Sequence, residues 1–195
     1  MLTIVLIACC QMANITAWAG DFEEGFAAAQ KGDFATALRL WKPLAEQGNS
    51  SAQYNLGLMY DNGRGVAQDY KTAVKWYTLA AQQGDADAQY NLGVRYGKGQ
   101  GVAQDYKTAV KWYTLAAEQG LASAQSLLGM MYETGKGVAQ DYVKAHTWFN
   151  ISAIDGDADA IKFRDDVAKK MTSAQIEKAQ QLATRCMKSS YKDCD

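Results

Sequence analysis

The sequence predicts an all-α fold, a right-handed α-solenoid of helical hairpins closed by a C-terminal capping helix. Three observations carry this. A segment returns at a fixed period. Each copy spaces its apolar residues at about 3.6, the helical period. Pro43 is the single proline in 195 residues, whereas sandwiches and long loops normally use more.

The repeat is the most specific of the three. Gly65 to Ala81 reads GVAQDYKTAVKWYTLAA, and Gly101 to Ala117 reads the same seventeen letters 36 residues later. Gly137 opens a third copy, GVAQDY. The preceding segment returns too, with Gln53-Tyr54-Asn55-Leu56-Gly57, then Gln89-Tyr90-Asn91-Leu92-Gly93, then Gln125-Ser126-Leu127-Leu128-Gly129.

Each copy predicts two helices. The first runs from about Ala52 to Asp61, with Ala52, Leu56, Met59 and Tyr60 on one face. Gly57 lies at the edge of that face. A glycine inside a helix costs about 1 kcal/mol, so the close approach of a neighbouring helix is expected there. Asn62-Gly63-Arg64-Gly65 breaks the helix. Asp69 caps the second helix, because its carboxylate accepts from free amides at the N-terminus. That helix is expected to bury Ala73, Trp76 or Tyr77, and Ala80, and to stop at Gly84.

Both ends depart from the repeat. Phe22 to Asp33 and Phe34 to Gln47 predict a helical pair turning at Lys31-Gly32-Asp33. At the other end Ala160 begins a fourth first helix, but Arg164-Asp165 stands where Leu-Gly stood, as suits an array that stops stacking and meets water. Thr172 to Gln175 forms a capping box, opening a last helix with Ile176, Ala179, Leu182 and Cys186 along one stripe.

Residues 1–19 predict a signal peptide. Leu2 to Cys10 is mostly apolar, no acidic residue precedes Asp21, and Ala17-Trp18-Ala19 gives the small-x-small pattern before a mature start at Gly20. The run is shorter than the roughly 20 apolar residues that span a bilayer, so no membrane insertion is expected after cleavage. No Lys or Arg follows Met1. Leu6-Ile7-Ala8-Cys9 also resembles a lipoprotein box, a less favoured reading in which Cys9 is lipidated. Removing the signal leaves Cys186 and Cys194, and an even pair in an exported chain favours a disulfide.

The repeating residues resemble Sel1-like repeats, relatives of the tetratricopeptide repeat. The second copy supplies Ala88, Leu92, Gly93, Tyr96, Gly99, Gly101, Val102, Asp105, Ala109, Trp112, Ala116, Ala117 and Gly120 to that pattern. Thr72 and Thr108 stand where the family often has Lys, and Lys144 restores it. The division that follows is a signal peptide at 1–19 and a tetratricopeptide-like pair at 20–51. Three Sel1-like repeats follow at 52–87, 88–123 and 124–159, then capping helices at 160–195.

The residues offer little chemistry. Net charge is −1 from 20 basic and 21 acidic side chains, with no block of like charge that would point to nucleic acid. The one histidine, His146, takes the place of Val74 and Val110 inside a helix, which favours a tolerated substitution over a general base. One His and two mature Cys supply no convincing zinc set. Gly97-Lys98-Gly99-Gln100-Gly101 lacks the Gly-Lys-Ser/Thr ending of a phosphate loop. The aromatics Trp76, Tyr77, Trp112, Tyr113, Trp148 and Phe149 recur every 36 residues, which marks packing positions rather than a ligand cage. No catalytic residue, metal or cofactor is expected.

Binding has the better basis. On the first helix, Tyr54 and Leu58 lie opposite Leu56, about 200° away at 100° per residue. In the next copies that side carries Tyr90 and Val94, then Ser126 and Met130. The stacking side stays nearly constant while this side varies. The resemblance implies that this side lines a concave peptide-binding surface. Tyr54, Asn55, Leu58, Tyr90, Asn91, Val94 and Met130 are therefore the expected partner-binding strip, Asn55 and Asn91 bonding an extended backbone through their amides. The competing reading is that Tyr54, Leu58 and Tyr90 pack on adjacent helices. The expected protein is a periplasmic or secreted monomeric scaffold for a protein or peptide. The resemblance also implies an alternative, since cysteine-rich relatives bind or hydrolyse β-lactams. Those carry a disulfide in each repeat, which these repeats lack. A third reading is a lipid-anchored envelope assembly factor.

Overall fold

A computed structural model of the chain describes residues 20–154 and 156–194, so the expected signal segment and Cys9 lie outside the described residues. Every regular element among the described residues is a helix. The chain divides into two compact units between Gln83 and Gly84. The first unit holds α1 (20–30), α2 (Phe34–Glu46), α3 (Ser50–Asn62) and α4 (Tyr70–Gln82). The second holds α5 (Ala86–Lys98), α6 (Tyr106–Ala117), α7 (Ala122–Thr134), α8 (Tyr142–Ser152), α9 (Ala158–Ala168) and α10 (Ser173–Lys188).

Capping sets the hairpins. Asp69, Asp105 and Asp141 each accept a backbone amide at the start of α4, α6 and α8. The Thr72 and Thr108 hydroxyls donate to the second carboxylate oxygens of Asp69 and Asp105 at 2.6 Å. These hydroxyls, more than any charge, hold both carboxyls below the ordinary value. Threonine at the family's lysine position thus completes the cap. The first helices start two residues earlier than the periodicity predicts, because Asn49 accepts from Ala52 N at 2.8 Å. Asp85 and Asp157 do the same for α5 and α9.

The loop of GVAQDY is closed by its glutamine. Gln68, Gln104 and Gln140 donate to the carbonyls of Asp61, Gly97 and Glu133 in the last turns of α3, α5 and α7, all at 2.7–2.8 Å. Gln68 and Gln104 also reach the Tyr70 and Tyr106 hydroxyls at 3.1 Å. The glycines that stop these helices, Gly63, Gly99 and Gly135, have φ of 66–68°, a left-handed conformation that disfavours a side chain.

The glycine inside each first helix has a steric cause. A Cβ at Gly57 would stand 2.5 Å from the Tyr77 ring, at Gly93 2.6 Å from Tyr113, and at Gly129 2.8 Å from Phe149. The second helix thus lays its aromatic flat on the first. Tyr77, rather than Trp76, is the buried one of that pair. Gly25 of α1 lies under Trp41 in the same manner, and the Trp41 indole donates to the Phe22 carbonyl at 3.2 Å.

The cap differs in detail from the expected stripe. Ala179, Ala183 and Cys186 are the buried residues of α10, while Ile176 and Leu182 are only half-buried. Small side chains face inward because α10 lies close on α8, where the Thr147 hydroxyl comes within 3.3 Å of the Ala179 carbonyl. The expected capping box at Thr172 and Gln175 is formed. Cys186 and Cys194 are disulfide-bonded, with Cα atoms 4.4 Å apart. Arg164 pairs with Asp165 at 2.8 Å, Arg164 half-buried and Asp165 exposed.

Candidate functional site

The second unit opens a groove of about 440 Å³ between α5 and α7, with α6 beneath it. Tyr90 and Val94 line it from α5, and Leu127 and Met130 from α7. These positions follow from the hairpin geometry. Ala88, Leu92, Ala124 and Leu128 face the stack at 0–1 % exposure. The residues two places on are turned away from it, and the structure leaves them half-buried.

Tyr113 of α6 forms part of the groove wall. Its ring centroid lies 6.3 Å from that of Tyr90 at 47°, a tilted aromatic pair. Burial, then the neighbouring Tyr90, pushes the Tyr113 hydroxyl well above its ordinary pKa, so it is neutral at any physiological pH. The part of the wall formed by Tyr113 is therefore uncharged.

Of the seven expected strip residues, Tyr90, Val94 and Met130 share this groove. Asn91 is half-buried beside Tyr90 on α5. Tyr54, Asn55 and Leu58 hold the matching positions on α3 of the first unit, all half-buried. The Tyr54 ring lies 6.1 Å from Tyr77 at 38°, the same pairing as Tyr90 with Tyr113. The tyrosines thus rest on the second helix of their own hairpin and remain partly exposed, so packing and access coexist at one side chain. The Asn55 amide nitrogen donates to the Ser51 carbonyl one turn back, at 2.8 Å. It must release that bond before it can hold an extended peptide from both sides.

His146 is 3 % exposed in α8, and no hydrogen-bond partner reaches its Nδ1. Burial and then the Arg164 guanidinium lower its pKa, with Asp165 opposing. It is not among the residues that line the groove, and it is buried as a core position is. Among the described residues no group of three His, Cys, Asp or Glu is placed to hold a metal ion. No helix among them is long and apolar enough to cross a membrane.

Two polar features escaped the sequence reading. Gln53, Gln89 and Gln125 are buried. Gln53 donates to the Ala45 carbonyl at 3.0 Å and accepts from Gln83 at 2.7 Å. Gln125 donates to Ala117 at 3.2 Å, and Gln89 accepts from Gln119 at 2.8 Å. The signal was present, since glutamine recurs at each of the three places. Arg95, at 9 % exposure, takes the place of Met59 and Met131 and donates to the Gln100 side chain at 2.6 Å.

Comparison with known proteins agrees with this architecture. The Sel1 repeat family model matches residues 8–49, 50–85, 86–121 and 122–157, the first stretch beginning within the expected signal segment. No curated protein sequence matches the chain. A Sel1 repeat protein from Oxalobacter formigenes, known from its crystal structure, is 32 % identical, with a TM-score of 0.66 over 87 % of this chain and 77 % of that one. A protective antigen of uropathogenic Escherichia coli strains, displaying an SLR fold, is 31 % identical with a TM-score of 0.55. The match covers 93 % of this chain, which spans about half, 49 %, of that protein. The fold class is thus the α-solenoid type of these repeats, and the chain belongs to the Sel1 repeat family.

Proposed function

We propose that this protein is a non-catalytic scaffold that holds a protein or peptide partner in the groove between its first helices. Such a role fits a Sel1 repeat protein. The observation that carries it is the groove itself, walled by Tyr90, Val94, Leu127 and Met130, side chains turned away from the stack and half-buried without a partner chain. Apolar groups on a free surface favour association, so their retention argues for an occupant. Tyr54, Asn55 and Leu58 extend the same reading to the first unit. The Cys186–Cys194 disulfide supports an exported location for this scaffold, since disulfides persist in oxidising compartments.

The test is photocrosslinking in the native envelope with a crosslinker at Val94. A defined adduct should form, and Tyr90→Ala with Met130→Ala should abolish it while helical circular dichroism is unchanged. Truncating a buried aromatic anchor commonly costs about 2 kcal/mol, about thirtyfold in affinity. An adduct that persists undiminished in the double variant would move the partner to another surface. A hydrolytic activity of the purified protein that His146→Val abolishes would overturn the non-catalytic reading.

A further inference from the structure

The charge around the groove narrows what can occupy it. Its side-chain lining carries two ionisable groups that are charged at neutral pH, Lys98 and Lys136, and both are cations. No carboxylate lines it. Lys98 stands in the last turn of α5, and both lysines are exposed. The Lys136 ammonium lies 5.5 Å from the centre of the Tyr106 ring, itself part of the groove wall. A cation held over an aromatic face keeps its donors available for an anion.

The sequence places these cations where the apolar wall ends. Lys98 is one residue beyond Gly97, whose missing side chain leaves the end of the groove open. Lys136 lies in the loop after α7, where Gly137 approaches the Tyr106 backbone too closely for a Cβ. The equivalent of Lys136 in the second repeat is Gln100, and that of Lys98 in the third is Thr134. The pairing of two lysines across one apolar groove is therefore specific to the place where α5 and α7 face each other.

We infer that the groove selects a peptide segment in which a carboxylate follows aromatic or aliphatic side chains, the apolar groups seated between Tyr90 and Met130 and the carboxylate between Lys98 and Lys136. This rests on the groove being the binding surface, and it adds the chemistry of the occupant. A basic segment would bring like charges together and is rejected. A neutral apolar segment would leave the two ammonium groups unmatched at the rim. The carboxylate is supplied by an Asp or Glu side chain or by a chain terminus, and the two sources share this chemistry.

The experiment is a selection of twelve-residue peptides displayed on phage, run against the full chain. Selected sequences should carry Asp or Glu, or a free C-terminus, within a few residues of aromatic or aliphatic groups. A representative, synthesised with a free and with an amidated C-terminus, separates the two sources by whether amidation removes binding. Lys98→Gln with Lys136→Gln should weaken it about tenfold, as expected for two exposed ion pairs. Lys98→Glu with Lys136→Glu should redirect the selection to Lys- and Arg-bearing peptides. Binding of the selected peptide should weaken as salt rises.

The outcomes separate the two levels. Selected peptides without an acid, still lost in Tyr90→Ala, overturn the carboxylate inference and leave the groove in place. No selection, or peptides indifferent to Tyr90→Ala and Met130→Ala, overturn both. Self-association that Tyr90→Ala removes would make the groove an interface between copies and likewise overturn the inference.

Discussion

The second helices α6 and α8 occupy the same place in consecutive hairpins, yet they meet different surroundings. In α6, Lys111 is exposed and Leu115 is 44 % exposed. In α8 the matching residues are Thr147 and Ile151, at 0 % and 3 %. The difference is α10, which packs on α8 and buries its outer side. The sequence changed to suit. A lysine became a threonine whose hydroxyl donates to the Val143 carbonyl at 2.8 Å, so the newly buried group is satisfied. A half-exposed leucine became a fully covered isoleucine. A repeat array therefore ends by rewriting one face of its last hairpin, and the other face keeps its code. Ala145 and Phe149 of α8 are as buried as Ala109 and Tyr113 of α6.

The most severe way to break this comparison is to restore the repeat residue. Thr147→Lys puts an ammonium under α10 at a fully buried position. We expect a loss of about 3–5 kcal/mol in chemical denaturation, or release of α10. The reciprocal Lys111→Thr should change stability by about 0.5 kcal/mol or less. Equal effects from the two substitutions would mean that α10 does not cover α8 in solution.

Truncating the matched aliphatics gives the same contrast without charge. Ile151→Ala should cost about 2–4 kcal/mol, because a buried side chain is lost and a cavity remains. Leu115→Ala, at a half-exposed site, should cost about 1 kcal/mol or less. Denaturant midpoints at unchanged slope measure both.

The disulfide sharpens the picture of what holds the cap. The segment closed by Cys186 and Cys194 places the Tyr191 ring against Gly120 at the α6–α7 turn, 3.1 Å from where a Cβ would stand. Ser190 and Tyr191 have φ of 53° and 65°, a conformation that costs a non-glycine residue and that the closed loop helps to hold. Reduction should destabilise the protein by about 2–3 kcal/mol in the chain-entropy account. Amide exchange should quicken first at 189–193, while α5 and α6 stay protected. Uniform exchange across the second unit on reduction would show instead that the bridge supports the whole unit.

These contrasts also mark how far the sequence could be read. The hairpins, their glycine stops, the Asp69 cap and the capping box at Thr172 were legible, because each depends on neighbours within a few residues. The reason for Gly57 was legible as a close approach, though not as the face of Tyr77. The choice of Tyr77 over Trp76 was not legible, since both lie near one helical face and only the crossing of the two helices selects between them. The buried glutamines were visible as repeats but not as bonds, because their partners lie in other helices. The groove is a similar case. Periodicity separated Tyr90 and Val94 from the stacking residues, whereas Leu127, Lys98 and Lys136 emerge only from the way α5 and α7 face each other.

The smallest effect concerns His146, where both sister hairpins carry valine. Its Nδ1 is buried without a partner, and its folded pKa is depressed below the ordinary 6.5 by burial and by Arg164, against Asp165. The folded state therefore resists a proton that the unfolded chain accepts. As pH falls below about 6.5 the unfolded chain binds that proton first, and stability declines until the folded histidine also titrates. Above 6.5 both states hold a neutral ring and the residue adds no pH dependence. His146→Val removes the titrating group and replaces it with the residue that the same position accepts in α4 and α6. The variant should match or exceed the wild type at neutral pH, and its stability should fall less between pH 6.5 and the acid transition. Denaturant melts at a series of pH values measure this. Parallel curves for the two proteins across that window would mean that the imidazole takes up its proton as readily in the fold as in the unfolded chain. The packing of α8 would then admit solvent or a counter-charge to it.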